Sequence, residues 1–424
     1  MDPLAWLTLP VRPFARLCAV PEDLESVTDV AEEIPGREVG IGRGALEAVW
    51  GAVEGLYRTG LYPAIQICVR RRGAVVLHRA IGHARGNAPG ADRDAPKELV
   101  STRTPFNLFS ASKAITAMVI HKLDEERVLH LEDRVCDWIP EFGVHGKDRI
   151  TIRHVLCHRS GIPNLPAGAM DLDLLGKPEE IVELLCAARC SSRPGRRLAY
   201  HAVTGGFVLG ELVRRATGKD IRTVLREKFQ EPLGFRWMNF GVDPCDLPLV
   251  AEDAFTGPPV LPPLSWVLER ALGADMARVV ELSNDPRFRT GIIPAANVIS
   301  TAEEAAGFYQ CLLEEGTLGG VRVLDPRTVR HATSEQSYWE LDLTLGVPLR
   351  HGLGFMLGAE WLSLFGPDTA RAFGHLGFTN IFTWADPDRE LVVALLTSGK
   401  PFVSLDVVRL YEWLLRLQWA FPKV

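Results

Sequence analysis

A serine and a lysine separated by one helical turn carry the clearest chemical signal in this 424-residue sequence. Ser110 and Lys113 lie between an extended segment, residues 104–108, and a helical run, residues 114–120. This arrangement places both side chains on one face at the start of a helix. A serine hydroxyl becomes a nucleophile when a base removes its proton, and a lysine whose pKa is lowered by burial can act as that base. The helix end also offers free backbone N–H groups to a developing oxyanion.

The pair alone is weak evidence, because a serine at a helix cap followed by a lysine is common on protein surfaces. The elements around it predict a sheet domain interrupted by a helical domain. An amphipathic helix over residues 45–58 and a hairpin over 64–80 come first, and the middle of the chain alternates helices with loops. Further predicted elements are a helix from 149 that stops at Gly161, strands over 352–357, 370–373, 381–384 and 391–397, and a closing helix over 407–419.

We therefore predict an α+β fold, in which an antiparallel sheet flanked by helices carries an inserted all-helical domain. Residues 1–40 form an N-terminal extension in this prediction. The sheet domain consists of residues 41–110 and 291–424, and the helical domain with pocket-forming insertions spans residues 111–290.

Two later motifs follow the Ser-x-x-Lys pair in order. Tyr200-His201-Ala202 comes after a Pro-Gly turn, and His375-Leu376-Gly377 lies on a predicted strand. With residues 110–113, they resemble the three motifs of the serine β-lactamase and penicillin-binding-protein superfamily, in its class C-like branch. In character the chain is most similar to the family VIII carboxylesterases, and the resemblance runs from about residue 45 to about residue 419.

The resemblance implies a β-lactamase/transpeptidase-like fold and a role for each motif residue. Ser110 is the nucleophile, and Lys113 with Tyr200 forms the base and proton relay. The backbone N–H groups of Ser110 and Phe378 hold the oxyanion. No metal or organic cofactor is needed. The sequence leaves open whether Lys113 or Tyr200 is the principal base, since their titrations are coupled.

Two departures from the family pattern concern the substrate. The asparagine of the second motif is replaced by Ala202, and the threonine of the third motif by Leu376. Because these positions usually hold a substrate amide and a substrate carboxylate, we predict an esterase for an uncharged, partly apolar ester. The alternatives are an acyltransferase of the same fold, an amide hydrolase of the β-lactamase or D-aminopeptidase type, and a non-catalytic binding or scaffold member.

Substrate contacts are predicted from the motifs and from two irregular segments, residues 163–177 and 243–284. If these segments do not form the pocket, Tyr338, Trp339 and residues 361–365 are the next choice. The predicted substrate-binding residues are His375, Leu376, Gly377, Ala202, Phe255 and Trp266.

Composition restricts the partners. The net charge of −6 gives no reason to expect nucleic acid, and no stretch is apolar and long enough to predict a signal peptide or a membrane span. The eight cysteines lack zinc-finger and thioredoxin spacing, which favours buried free thiols in a reducing compartment and predicts a cytoplasmic protein. A small-molecule ester is the predicted partner, no metal site is predicted, and the oligomeric state is left open.

Overall fold

The computed structural model describes residues 15–424 except 93, 95, 165–170, 263–264, 267, 270–273 and 403–405. The beginning of the predicted N-terminal extension and part of the predicted pocket segment 163–177 lie outside the described residues. No helix among the described residues is long and apolar enough to cross a membrane.

A large antiparallel sheet organises the chain, and its strands come from both ends of the sequence. Its described strands are β1 (Thr28–Val30), β2 (Ala64–Arg71), β3 (Ala74–Arg85), β4 (Glu98–Leu99), β10 (Ser337–Leu341), β11 (Pro348–His351), β12 (Met356–Leu357), β13 (Phe373–Gly377), β14 (Ile381–Asp386) and β15 (Leu391–Thr397). Their order is β1-β3-β2-β15-β14-β13-β12-β11-β10, with β4 paired to β3. Two small sheets pair β5 (Phe106–Asn107), β7 (Val298–Ser300) and β6 (Asn239–Phe240), and β8 (Thr317–Leu318) with β9 (Val321–Arg322).

Some of the described helices cover the two faces of the large sheet, and others pack around the helix at Thr204–Thr217 in the middle of the chain. They are α1 (Ala45–Tyr57), α2 (Ser112–Glu125), α3 (Val135–Trp138), α4 (Ile152–Leu156), α5 (Pro178–Ala187), α6 (Thr204–Thr217), α7 (Ile221–Leu225), α8 (Met276–Ser283), α9 (Pro286–Thr290), α10 (Ala302–Leu313), α11 (Pro326–Ala332) and α12 (Asp406–Ala420). Helices α1 and α12 pack on each other, and α10 packs on β2, β14 and β15.

Alternation along the central strands produces two separate cores. On β15, Val393 and Leu395 belong to the cluster that includes Trp413 of α12, whereas Val392 and Ala394 belong to the cluster on the opposite face. Successive side chains of a strand point to opposite faces, so a strand covered by helices on both sides is apolar at every position. The closing helix is therefore needed to bury one face of the sheet.

The predicted fold class is confirmed, but several element bounds were wrong. The helix predicted from residue 149 to Gly161 is only α4, because His158 adopts φ 58° and Gly161 adopts φ 84°, values that no right-handed helix contains. Of the strand predicted over 352–357, only β12 forms, because residues 352–355 make the turn between β11 and β12, in which Gly354 adopts φ 100°. The strand predicted over 370–373 begins only at Phe373 and contains the third motif.

The structure adds two details to the predicted division into domains. Strand β1, within the predicted extension, pairs with β3 of the large sheet. Strand β6, within the predicted helical domain, pairs with β7. The three-part division itself stays a prediction.

Candidate active site

Ser110 lies in a tight turn of 3₁₀ helix, Phe109–Ala111, directly before α2. Phe109 adopts φ 46°, a left-handed conformation that costs on the order of 1–3 kcal/mol for a non-glycine residue. The Phe109 N–H donates to Asn107 Oδ1 over 3.2 Å, and the Phe109 ring contacts the ring of Phe378 at 5.4 Å. The surrounding contacts therefore hold a strained residue immediately before the serine.

Lys113 reaches Ser110 from the first turn of α2. Its Nζ lies 3.1 Å from Ser110 Oγ and donates to the carbonyl oxygen of Ala295 over 3.0 Å. Only 9% of the Lys113 surface is exposed, and this burial lowers the pKa of the amine from 10.5 to about 7 because the ammonium form loses its hydration. A substantial fraction of Lys113 is therefore neutral near pH 7 and can accept a proton.

Tyr200 completes the group from the loop before α6. Its side chain hydrogen-bonds to Ser110, and the Lys113 Nζ lies 4.9 Å from the centre of its ring. Burial raises the pKa of the Tyr200 phenol above its usual value, which the hydrogen bond to Ser110 offsets only in part. Tyr200 is therefore protonated at neutral pH. Its backbone N–H donates to Oδ1 of the fully buried Asp342 over 3.0 Å.

Four buried histidines surround Tyr200. The His158 ring lies 4.7 Å from the Tyr200 ring, 5.4 Å from His201 and 5.3 Å from His351, and the His375 ring lies 6.2 Å from Tyr200. Burial lowers the pKa of each ring, to about 3 for His201 and His375 and to about 4 for His351. The pKa of His158 is also lowered well below 6.5 by burial. These rings are therefore neutral at pH 7 and pack around Tyr200 without adding charge.

Strand β13 forms one wall of the site, and Gly377 allows it to come close to the serine. A Cβ atom at Gly377 would overlap the carbonyl oxygen of Leu108, two residues before Ser110. The third-motif glycine therefore permits a backbone approach that other residues would prevent. Phe378 follows at the end of the strand, and both Ser110 and Phe378 line the same cavity.

That cavity has a volume of about 470 Å³ and opens above Ser110. This volume lies within the usual range for small-molecule sites. None of the described lining residues is a lysine or an arginine, and Asp171 is the one acid among them. The described lining residues are Phe109, Ser110, Asp171, Leu172, Leu175, Tyr200, Ala202, Val203, Phe207, Leu268, Val279, Leu282, Phe288, Ile293, Ala296, Thr344, Leu345, Met356, Leu376, Gly377, Phe378, Thr379 and Phe402.

The structure brings most of the predicted motif residues together. Ala202, Leu376 and Gly377 line the cavity with Ser110, Tyr200 and Phe378, and Lys113 lies behind Ser110. His375 does not line it: its ring is buried beside Tyr200, where Nδ1 donates to the Leu376 carbonyl oxygen over 2.7 Å.

Phe255 and Trp266, chosen from the irregular segment 243–284, are also absent from the lining. The Phe255 ring lies against the Arg16 guanidinium, 5.1 Å from it, and 64% of Trp266 is exposed to solvent. Other residues of the two predicted pocket segments do line the cavity: Leu268, Val279 and Leu282 from 243–284, and Asp171, Leu172 and Leu175 from 163–177. The roles proposed for these two aromatic residues stay predictions.

Sequence reasoning missed Asp342 and the wall residues around it. The Asp342 carboxylate accepts the Tyr200 N–H and the N–H groups of Thr344 and Leu345, both of which line the cavity. The available signal was a lone acid in the otherwise uncharged, mostly apolar run 341–349. An isolated acid at the tip of a hairpin usually indicates a turn residue, and only its full burial reveals its role.

Neither a metal site nor a disulfide appears in the part of the chain that the structure describes. No group of three or more His, Cys, Asp or Glu residues there could hold a metal ion. The eight cysteines are free thiols, and Cys190 lies beyond the end of α5 rather than on one helix face with Cys186.

Comparison with known proteins identifies the class to which this fold and site belong. The model of the family named Beta-lactamase matches residues 52–418, and the chain belongs to that family. It is a serine hydrolase with the β-lactamase and penicillin-binding-protein fold.

Individual relatives include esterases. The protein described as esterase/beta-lactamase LipL, from Mycobacterium tuberculosis (strain ATCC 25618 / H37Rv), is 30% identical over 312 residues, which cover 70% of this chain and 71% of LipL. A penicillin-binding-protein homologue from Caulobacter crescentus is similar with a TM-score of 0.74 and 26% identity, covering 90% of this chain and 99% of the homologue. A family VIII carboxylesterase is similar with a TM-score of 0.74 and 26% identity, covering 89% and 98% of the two chains.

Proposed function

We propose that this protein is a carboxylesterase that cleaves uncharged esters through an acyl-enzyme on Ser110. One observation carries the proposal: Ser110 contacts both Lys113, whose pKa is lowered to about 7, and Tyr200, at the base of an apolar cavity. A nucleophile beside a partly neutral amine and a protonated phenol has both a base and an acid within reach.

The two pKa shifts favour different tasks for Lys113 and Tyr200. Neutral Lys113 removes the Ser110 proton as Oγ attacks the ester carbonyl. Tyr200, whose pKa is raised by burial, is a poor base at pH 7 but has a proton to give. It donates that proton to the leaving alcohol and is reprotonated by the Lys113 ammonium.

Backbone amides stabilise the tetrahedral intermediate in this mechanism. The N–H groups of Ser110 and Phe378 donate to the oxyanion, supported by the close approach of β13 at Gly377. Water then attacks the acyl-enzyme, with Lys113 again accepting the proton. The bond between the acyl group and Ser110 Oγ then breaks, and Oγ takes the proton back from the Lys113 ammonium, directly or through Tyr200, so that the carboxylic acid is released and the serine hydroxyl is restored.

The cavity favours esters over β-lactams and peptides. A penicillin carries a carboxylate, and none of the lining residues that the structure describes has a cationic side chain to receive it. Ala202 and Leu376 offer no side-chain hydrogen bond to an amide or carboxylate, so a substrate that needs those bonds would leave its own polar groups unpaired. An ester has fewer polar groups that need hydrogen bonds, so less binding free energy is lost when it enters this cavity.

Turnover of p-nitrophenyl butyrate and of benzylpenicillin by the same preparation tests the proposal. We expect butyrate hydrolysis to exceed penicillin hydrolysis in kcat/KM by on the order of 10³-fold, and Ser110→Ala to lose butyrate turnover by a similar factor. Ser26→Ala, a change at an exposed serine of the N-terminal segment, is the matched control and should behave as wild type. Wild-type turnover by Ser110→Ala, or efficient penicillin hydrolysis, would overturn the assignment.

An added alcohol acceptor distinguishes hydrolysis from acyl transfer. If the cavity favours water as the second nucleophile, then butyrate release should exceed ester formation at millimolar acceptor. The opposite ratio would establish the acyltransferase alternative without changing the role of Ser110.

A further inference from the structure

The hairpin of β10 and β11 ends in a loop that presents large apolar side chains to solvent. Leu341, Leu343, Leu345 and Val347 are each between 42% and 53% exposed, and we call this group the apolar tip. The only ionisable residue in the run 341–349 is Asp342, which is completely buried. Nine consecutive residues therefore present no charge to solvent, which is unusual for an exposed hairpin end.

The apolar tip is held in a fixed conformation. Oδ1 of Asp342 accepts the N–H groups of Thr344 over 2.9 Å and of Leu345 over 3.0 Å. The Asp342 N–H donates to the Val347 carbonyl over 3.0 Å, and the Gly346 N–H donates to the Asp342 carbonyl over 2.8 Å. The exposure of these side chains is thus a feature of a hydrogen-bonded loop.

The same carboxylate connects the apolar tip to the catalytic group, since Asp342 Oδ1 also accepts the Tyr200 N–H. Leu345 is partly exposed and at the same time lines the 470 Å³ cavity that contains Ser110. The apolar surface is therefore continuous from solvent, over Leu345, to the nucleophile. An apolar molecule that leaves a lipid phase at the tip would therefore meet Leu345 at the cavity that contains Ser110.

We propose that the apolar tip docks the protein on the surface of uncharged lipid aggregates, from which the cavity takes long-chain, water-insoluble esters. This inference names the substrate class of the same site and rests on the proposed esterase function. Partial insertion of four apolar side chains removes their surface from water and stabilises the bound state.

Charge favours an uncharged surface as the occupant. The chain has a net charge of −6, which opposes binding to anionic headgroups, and residues 341–349 include neither lysine nor arginine. Arg196 and Arg197 are exposed cations that precede Leu198, whose carbonyl oxygen accepts the Leu343 N–H. Continuity with the cavity favours lipid over a protein partner or a second copy of this chain. A protein seated on Leu345 would cover this entrance, whereas a lipid phase would supply substrate through it.

Flotation with vesicles of palmitoyl-oleoyl-phosphatidylcholine tests docking directly. The wild type should float with the vesicles, and the triple variant Leu341→Ser, Leu343→Ser, Val347→Ser should bind about tenfold less because three exposed contacts lose their apolar surface. These positions do not line the cavity. The matched control is Val30→Ser, Leu99→Ser, Val321→Ser, three similarly exposed apolar residues on β1, β4 and β9, which should float as wild type.

Two ester substrates connect docking to catalysis. For p-nitrophenyl laurate embedded in the same vesicles, the tip variant should be about tenfold slower than wild type. For dissolved p-nitrophenyl acetate, the tip variant should remain within about twofold, because that substrate does not need the surface. Leu343→Asp alone should also slow the hydrolysis of the embedded laurate and leave the hydrolysis of the dissolved acetate nearly unchanged.

Each contrary outcome has a distinct meaning. Equal flotation of the tip variant and wild type, or equal loss in the control variant, would overturn lipid docking. A change from dimer to monomer in the tip variant, with unchanged flotation, would instead assign the apolar tip to a contact between copies. A preference for vesicles containing phosphatidylserine would contradict the uncharged surface. Failure of the wild type to hydrolyse the dissolved acetate would overturn the esterase function, whereas the flotation result would stand independently.

Discussion

The base of the cavity and its walls are built in opposite ways. At the base, Ser110, Lys113 and Tyr200 form a compact polar group held by hydrogen bonds and buried among neutral rings. The walls are apolar side chains such as Phe207 and Phe288, contributed by elements far apart in the sequence. The polar group at the base determines which reaction the site can catalyse, and the wall side chains determine which substrate binds.

This contrast explains why the two parts respond differently to substitution. A polar group at the base must be held in one geometry and must transfer a proton, so a single substitution there abolishes the reaction. A wall side chain contributes one part of a surface, so its loss changes the preferred substrate by a modest factor.

Replacing Lys113 by methionine should produce the largest loss. The apolar side chain fits the buried site but cannot take the Ser110 proton, so kcat for p-nitrophenyl butyrate should fall by on the order of 10³-fold or more. Lys122→Met, on the same helix α2 but away from the cavity lining, is the control and should retain wild-type turnover. Similar rates for the two variants would remove Lys113 from the mechanism.

The pH dependence of kcat/KM should report the lowered pKa of Lys113. Because the neutral amine is the base, kcat/KM should fall about tenfold per unit as the pH decreases below about 7, and should level off above it. The histidines around Tyr200 cannot produce this limb, because burial lowers the pKa of His201, His351 and His375 to about 3 or 4. A rate that is flat from pH 5 to pH 9 would contradict a base with this pKa.

Asp342→Ala should lower both stability and rate, because the Asp342 carboxylate joins the Tyr200 backbone to the cavity wall at Thr344 and Leu345. Three backbone N–H groups, those of Tyr200, Thr344 and Leu345, would lose their acceptor. We expect a loss of about 3 kcal/mol in the free energy of unfolding from urea titration and roughly a tenfold decrease in kcat. Asp342→Asn keeps an acceptor oxygen and should recover much of both losses.

The exposed Asp148 provides the matched control for that pair of variants. Asp148→Ala should leave the unfolding free energy and kcat within error of the wild type. If Asp342→Ala and Asp148→Ala behave alike, then the buried carboxylate does not position Tyr200.

Sequence patterns identified the base of the cavity and part of its walls, including Ala202, Leu376 and Gly377. The three motifs are short and ordered, so Ser110, Lys113 and Tyr200 were found together, and the alternation of apolar residues located β2 and β15. The bounds of β13 were missed, because its two glycines weaken the strand pattern although they allow the close packing at Gly374 and Gly377. Local pattern cannot reveal contacts that depend on the path of the whole chain.

Phe255 and Trp266 illustrate that limit. They were chosen because they lie in an irregular segment near the motifs in sequence, but the chain directs Phe255 toward Arg16 and leaves Trp266 exposed. Phe207, within the regular helix α6, lines the cavity instead. A residue in a regular helix is not selected as a pocket residue from the sequence, because packing alone explains its place in the helical periodicity.

The smallest predicted effect therefore distinguishes Phe207, which lines the cavity, from Phe255, which was chosen from the sequence. Phe207→Ala enlarges the cavity and should move the preferred acyl length of p-nitrophenyl esters upward by a few carbons, with a several-fold change in kcat/KM. Phe255→Ala should leave the chain-length profile unchanged. The reverse result would make Phe255 a substrate-contacting residue, as the sequence predicted, and remove Phe207 from that role.

The most direct test of the account is the location of the covalent intermediate. After brief reaction with a fluorophosphonate, and separately after an acid quench during p-nitrophenyl butyrate turnover, intact mass spectrometry should detect one added group per chain. Peptide mapping should assign it to Ser110 in both cases, and Ser110→Ala should carry none. Rapid ester turnover without any adduct, or an adduct on a different residue, would contradict an acyl-enzyme on Ser110 and with it the proposed mechanism.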